Sequence, residues 1–181
     1  MTKILAFDIS STTIGWALIE VQDKSFSLSD YGHIKPKKKK GKEKYSISKS
    51  LTLTYESIQE LIKDKNPDDI VVEKYATRFS MGRSTANTII VLSVYNELVS
   101  LVAYKEFEKE TTKLAPATIR SKISKYYDIK IEGKDGAFKF VDENISNFKT
   151  KLNRLSNIKK ECYDEADAIC VGICHFIINY S

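Results

Sequence analysis

Four carboxylates in this chain sit where carboxylates are expensive. The sequence opens MTKILAFDISSTTIGWALIE, and its apolar run "ILAF" stops at Asp8. A buried acid costs several kcal/mol unless it is paired or binds a metal. "DIVVEKY" repeats the pattern, with a short apolar strand ending in Glu73. Near the other end, "YDEADAICVGICH" carries Asp164 and Asp167, an i,i+3 pair on one helix face. If that helix meets the ends of the two strands, four negative charges converge. Such a cluster is tolerable around divalent cations. Oxygen-only ligands suit Mg²⁺ or Mn²⁺ rather than zinc. Two such ions about 3.5–4 Å apart are the usual device for in-line phosphodiester hydrolysis. Taken singly, each acid has a plainer role: Asp164 as a helix cap or first-turn acid, Glu73 as a surface residue at a strand end.

The elements that must position these acids can be read from periodicity. Residues 3–8 and 15–21 alternate as two strands of a hairpin, and "LSDYGHI" (28–34) supplies a third strand. Apolar residues near helical spacing predict a helix over 46–65, ended by Asn66-Pro67. A buried strand covers 69–75. A long helix over 84–106 is apolar on more than one face. "TTKLAPATIR" reads as a strand end and a helix beginning at Pro116. Gly133 and Gly136 read as punctuation before a helix over about 137–149. The last helix, 164–180, is apolar nearly all round beyond Asp167 and must be buried. This order predicts an α/β fold in one domain spanning 1–181, a mixed sheet with helices packed on it.

With 181 residues and 42% hydrophobic content, the chain can bury a sizeable core. No apolar run approaches transmembrane length, and Asp8 interrupts any signal-peptide core. Cys170 and Cys174 lie one helical turn apart, but two histidines are poor material for a zinc site, so buried free thiols are the better reading. The net charge is +5, while "KPKKKKGKEK" (35–44) alone carries +6, so the rest is close to neutral with its charge segregated. Cations without acids gather at 74–83, 118–125 and 148–160, a distribution suited to a polyanion. The lysine run, with Pro36 and Gly41, reads as a loop.

On these residues the sequence resembles the RuvC family of Holliday-junction resolvases, and looks most like its small phage-carried members. "FDISSTTIGWALIE" is similar to the family's strand–Asp–turn–Gly–aromatic–strand opening, with Asp8, Ser11 and Gly15 in place. "IVVEKY" resembles the strand ending in a catalytic Glu, and "YDEADAICVGICH" the closing Asp-x-x-Asp-Ala helix. "GKDGAFKFV" (133–141) looks like the turn and helix start between them, which would make Lys139 an active-site lysine. The resemblance implies a ribonuclease H-like fold: a mixed five-stranded sheet with helices on both faces. It implies Mg²⁺ or Mn²⁺, two per site, held by Asp8, Glu73, Asp164 and Asp167. It implies a homodimer nicking branched double-stranded DNA in the bacterial cytoplasm, leaving 5′-phosphate and 3′-hydroxyl ends. Candidate DNA contacts are Lys37, Lys38, Lys39, Lys40, Tyr75, Arg78, Phe79, Arg83, Arg120, Lys134 and Lys139, with Tyr75 or Phe79 as an aromatic wedge. Ile9-Ser10 replace the family's usual Pro-Gly after the first Asp.

Three other readings compete. The turn "FDISSTTIGW" is close to a phosphate-binding turn of sugar kinases and actin-like ATPases, which need a second such domain. A purely DNA-binding module gains nothing from four acids beside phosphates. A nuclease acting on forks, three-way junctions or flaps would use the same carboxylates.

Overall fold

The computed structural model describes residues 1–10, 12–36, 39–40, 43–75 and 86–181. Strands β1 (Thr2–Ile9), β2 (Ile14–Gln22), β3 (Ser25–Ile34), β6 (Asp69–Glu73) and β7 (Thr111–Leu114) form one sheet in the order β3-β2-β1-β6-β7. The first three pair antiparallel, while β6 runs parallel to both β1 and β7. The helices are α1 (Ile47–Lys65), α2 (Ala86–Phe107), α3 (Pro116–Tyr127), α4 (Gly133–Asn144) and α5 (Lys160–Asn179).

Strand alternation divides the core in two. Ile4, Ala6, Ala17, Ile19 and Val71 face α3, α4 and α5. Leu5, Phe7, Leu18, Ile70 and Val72 face α1 and α2, where Ile58, Ile62, Val99 and Val102 meet them. A period of two therefore carries Asp8, after Ile4 and Ala6, and Glu73, after Val71, onto the α5 side. Helix α5 lies very close to β2. A Cβ on Gly172 would stand 2.7 Å from Cγ1 of Ile19, so only glycine permits that approach.

The structure departs from the sequence reading in four places. β3 begins at Ser25, because Asp23 and Lys24 both take positive φ (47° and 62°) in a two-residue hairpin turn that pairs Gln22 with Ser25. The lysine run holds a short antiparallel pair, β4 (Lys39–Lys40) with β5 (Glu43–Lys44), where a loop was expected. α4 runs Gly133–Asn144 where about 137–149 was expected: Gly133 takes φ 64° at its first position, Gly136 N–H bonds Glu132 O within the first turn, and Ile145 caps the helix with extended backbone. α5 begins at Lys160, so Asp164 stands in its second turn and is not a cap.

Candidate active site

Asp8, Glu73 and Asp167 line one cavity together with Arg120, Lys134 and Cys170. β1 delivers Asp8 from the centre of the sheet, and β6, its parallel neighbour, delivers Glu73. The backbone around Glu73 is held on two sides: Asn96 Nδ2 of α2 donates to its carbonyl at 2.7 Å, and Lys74 N–H bonds Leu114 O of β7. The turn after Asp8 is closed by Ser10, whose N–H bonds Thr13 O at 2.8 Å and whose Oγ accepts from Thr13 N at 3.0 Å.

Lys134, in the first turn of α4, joins Asp164 to the group. Its Nζ lies 2.8 Å from Asp164 Oδ1 and 3.2 Å from Asp167 Oδ2. Lys139 is directed elsewhere: its side chain is 74% exposed and 3.8 Å from Glu143. The lysine at the carboxylates is thus the one expected only as a DNA contact. Arg120 does come to the cavity. Tyr75 is half-buried just beyond β6. Lys37, Lys38, Arg78, Phe79 and Arg83 lie outside the described residues, and Lys39 and Lys40 are described only as backbone.

The electrostatics are those of a crowded anionic site. Burial, then Glu73, Asp167 and Asp164, raise the Asp8 carboxyl well above its ordinary range, with Lys134 opposing. Burial and Asp167 push Glu73 up to about 7, against Arg120 and Lys134. Asp167 is raised by burial and by Asp164, again against Lys134. Burial works to lower Lys134, but Asp8, Asp167 and Asp164 outweigh it and raise the ammonium. Oδ2 of Asp8 is buried with no hydrogen-bond partner. Among the described residues no three acids close tightly enough to hold an ion as they stand. Lys134 supplies the positive charge between them. An all-carboxylate donor set with an orphaned oxygen on Asp8 fits hard divalent cations such as Mg²⁺ or Mn²⁺. Cys170, by contrast, is a buried thiol whose ionisation is suppressed by burial first and then by Asp167 and Glu73. All three cysteines are free and buried.

Several participants were not anticipated. Asn96 was hidden in an apolar helix. Glu165, fully buried beside Asp164, faces His33 Nδ1 at 2.7 Å and Lys151 Nζ at 3.1 Å. Its burial in the sequence "DEADA" carried a signal, since an acid between two expected metal ligands on a buried helix needs partners of its own.

A mixed sheet whose first and fourth strands, in chain order, end in acids facing an Asp-x-x-Asp helix defines a ribonuclease H-like fold. Comparison with known proteins narrows this. The chain is 26% identical over 179 residues to the crossover junction endodeoxyribonuclease RuvC of Dehalococcoides mccartyi, covering 96% of this chain and 91% of that protein. The fold matches that of Thermus thermophilus RuvC solved with a Holliday junction substrate, with TM-score 0.67, 11% identity and coverage of 98% of this chain and 94% of that one. It also matches the yeast mitochondrial Holliday junction resolvase, with TM-score 0.70, 15% identity and coverage of 97% and 78%. No protein-family model matches the chain. The chain is RuvC-like in sequence and in fold.

Proposed function

We propose that the chain is a metal-dependent endodeoxyribonuclease that nicks four-way DNA junctions. The observation that carries this reading is the meeting of Asp8, Glu73 and Asp167 in one cavity, with Asp164 tied in through Lys134 and one oxygen of Asp8 left unpartnered. Asp8, Glu73, Asp164 and Asp167 would hold two Mg²⁺ or Mn²⁺ ions. When bound, such ions supply activation of water and neutralisation of charge at the leaving 3′ oxygen. The residues themselves orient that chemistry. The sheet fixes Asp8 and Glu73 on adjacent strands, and α5 presents Asp164 and Asp167 across from them. Lys134, beside Asp164 and Asp167, and Arg120, in the cavity lining, supply positive charge where a phosphate must approach four acids. Water oxygen forms the new bond to phosphorus as the bond to O3′ breaks, leaving a 5′-phosphate and a 3′-hydroxyl.

The active form is a homodimer joined through α2. Its inner face buries Tyr95, Val99 and Val102, while Ile90, Val94, Leu101 and Tyr104 remain 58%, 40%, 52% and 61% exposed on the outer one. A two-fold contact needs one self-complementary patch of this kind. Two subunits then each cut one strand of a symmetric junction. Among the described residues no helix is long and apolar enough to cross a membrane, and the bacterial cytoplasm is the compartment proposed. The test is cleavage of a panel of four-way, three-way, flap and linear DNAs in Mg²⁺. Paired nicks across four-way junctions support the reading. Equal cutting of flaps or three-way junctions would make it a broader branched-DNA nuclease, and no cutting of any would refute it.

A further inference from the structure

Between α4 and α5 runs "FKTKLNRLSNIKK" (148–160), five cations and no acid. The segment is far from slack. Leu152 bridges to Ile158, and Asn153 N–H bonds Asn157 O at 2.8 Å. Asn153 Oδ1 accepts from Leu155 N at 2.8 Å and from Asn157 N at 3.1 Å. Ser156, at φ 59°, completes a tight turn whose tip is Leu155, 81% exposed. Below the tip, the segment is fastened to the body. Lys149 N donates to Tyr31 Oη at 2.9 Å, and Lys151 Nζ reaches both oxygens of Glu165 at 3.1 and 3.3 Å. Glu165 is fully buried and adjacent to Asp164, so this anchor is on the helix that carries two of the four site acids. Lys35 pairs with Glu161 at the same edge, bringing the end of β3 and the start of the lysine run beside it. The acids here are spent on anchoring. Lys149, Arg154, Lys159 and Lys160 are exposed and make no ion pair among the described residues.

A rigid turn with a bare leucine at its tip and unpaired cations around it matches a polyanion that also offers apolar surface. Duplex DNA is that partner: phosphates take the cations, and apolar tips enter the minor groove. We propose that the 152–158 turn is a fixed contact for a duplex arm of the DNA substrate, with Arg154 on phosphate and Leu155 in the minor groove, registered to the site through Lys151 and Glu165. The inference rests on the nuclease reading above.

Two measurements on the full chain, without divalent metal so that no strand is cut, test it. With p-benzoyl-phenylalanine in place of Leu155, ultraviolet light should cross-link the protein to one arm of a four-way junction, in a single cluster of nucleotides. Arg154→Ala should weaken binding about threefold to tenfold and lower the slope of log affinity against log salt by about 1. Because position 155 is solvent-exposed, the substitution leaves the fold intact, and a thermal melt verifies this. A substituted protein that binds junctions with unchanged affinity but cross-links no DNA overturns the inference alone. A wild-type protein that binds no DNA overturns the nuclease reading and this inference together.

Discussion

Gly15 of β2 lies against the backbone of Asp164 so closely that a Cβ would stand 2.1 Å from the Asp164 carbonyl oxygen and 2.5 Å from its carbon. The obstacle is backbone, not a flexible side-chain end, so it cannot swing aside. Gly15→Ala must push α5 off the sheet at the turn that carries two site acids. Overpacking of this kind costs roughly 1–3 kcal/mol. We expect a lower Tm and a loss of cleavage much larger than the loss of folded protein. Cleavage per folded molecule at the wild-type rate would contradict this.

Asp8→Asn should abolish cleavage while leaving junction binding intact or tighter. It removes a proposed metal ligand, but it also removes a buried charge that burial, Glu73, Asp167 and Asp164 all disfavour. The metal-free variant should therefore melt higher than the wild type, by a few degrees if about 1 kcal/mol of repulsion is relieved. Mg²⁺ or Mn²⁺ should raise the wild-type Tm by mass action and the variant's much less. Scanning calorimetry with and without millimolar metal reads both effects.

Lys134→Met should act in the opposite sense. Without metal, the ammonium bonded to Asp164 and facing Asp167 is lost, and the acids are left to repel each other. The variant should melt lower than the wild type in chelator, and Mg²⁺ should close much of the gap because it restores the missing positive charge. Lys139→Ala, whose ammonium lies outside the cavity, should cost far less in both stability and cleavage. Equal losses for the two lysines would show that their different placements do not matter.

At the other end of the sheet, Asp69 Oδ2 accepts from Tyr180 Oη at 2.6 Å and faces His175 Nε2 at 3.0 Å. Burial acts to raise this carboxyl, but the bonds from Tyr180 and His175 prevail and hold it below its ordinary value. A depressed folded-state pKa gives stability that is present above the unfolded value, about 3.9, and is lost as pH falls through the folded one. Asp69→Asn should therefore lower Tm at pH 7, with the gap closing below about pH 4. A gap that stays constant down to pH 3 would show that the ionised carboxylate is not what ties α5 to β6.

Three of the four proposed site acids were legible because each interrupts a pattern: Asp8 and Glu73 end apolar strands, and Asp167 stands in an apolar helix. Parity along β1 and β6 then placed two of them on the α5 face. Lys134 was expected on DNA and not among the acids for a local reason. Gly133 and Gly136 read as a break, which moved the helix start past Lys134, while the likeness of "GKDGAFKFV" to the family's helix start pointed to Lys139. In the fold both glycines lie in the first turn, and no capping side chain marks the true start. The same lack of a cap at Lys159 hid the first turn of α5, which made Asp164 look like a helix cap. The partners of Glu165 were illegible for a different reason: His33 is 132 residues away in sequence, and only the sheet brings it there.

β1 and β6 are hydrogen-bonded neighbours with Phe7 opposite Val72, and Asp8 and Glu73 are the next residue on each. Parallel strands lie about 4.8 Å apart, so the two acids leave the sheet from adjacent rungs of one ladder. The ladder therefore works as a gauge block: the spacing of the two backbones that carry the acids is machined by hydrogen bonds between the strands. A dimension set that way has a tight tolerance and is indifferent to whatever is hung on the sheet's rim. The segments around β4 and β5 and the 152–158 turn can change length, charge or sequence without moving that dimension.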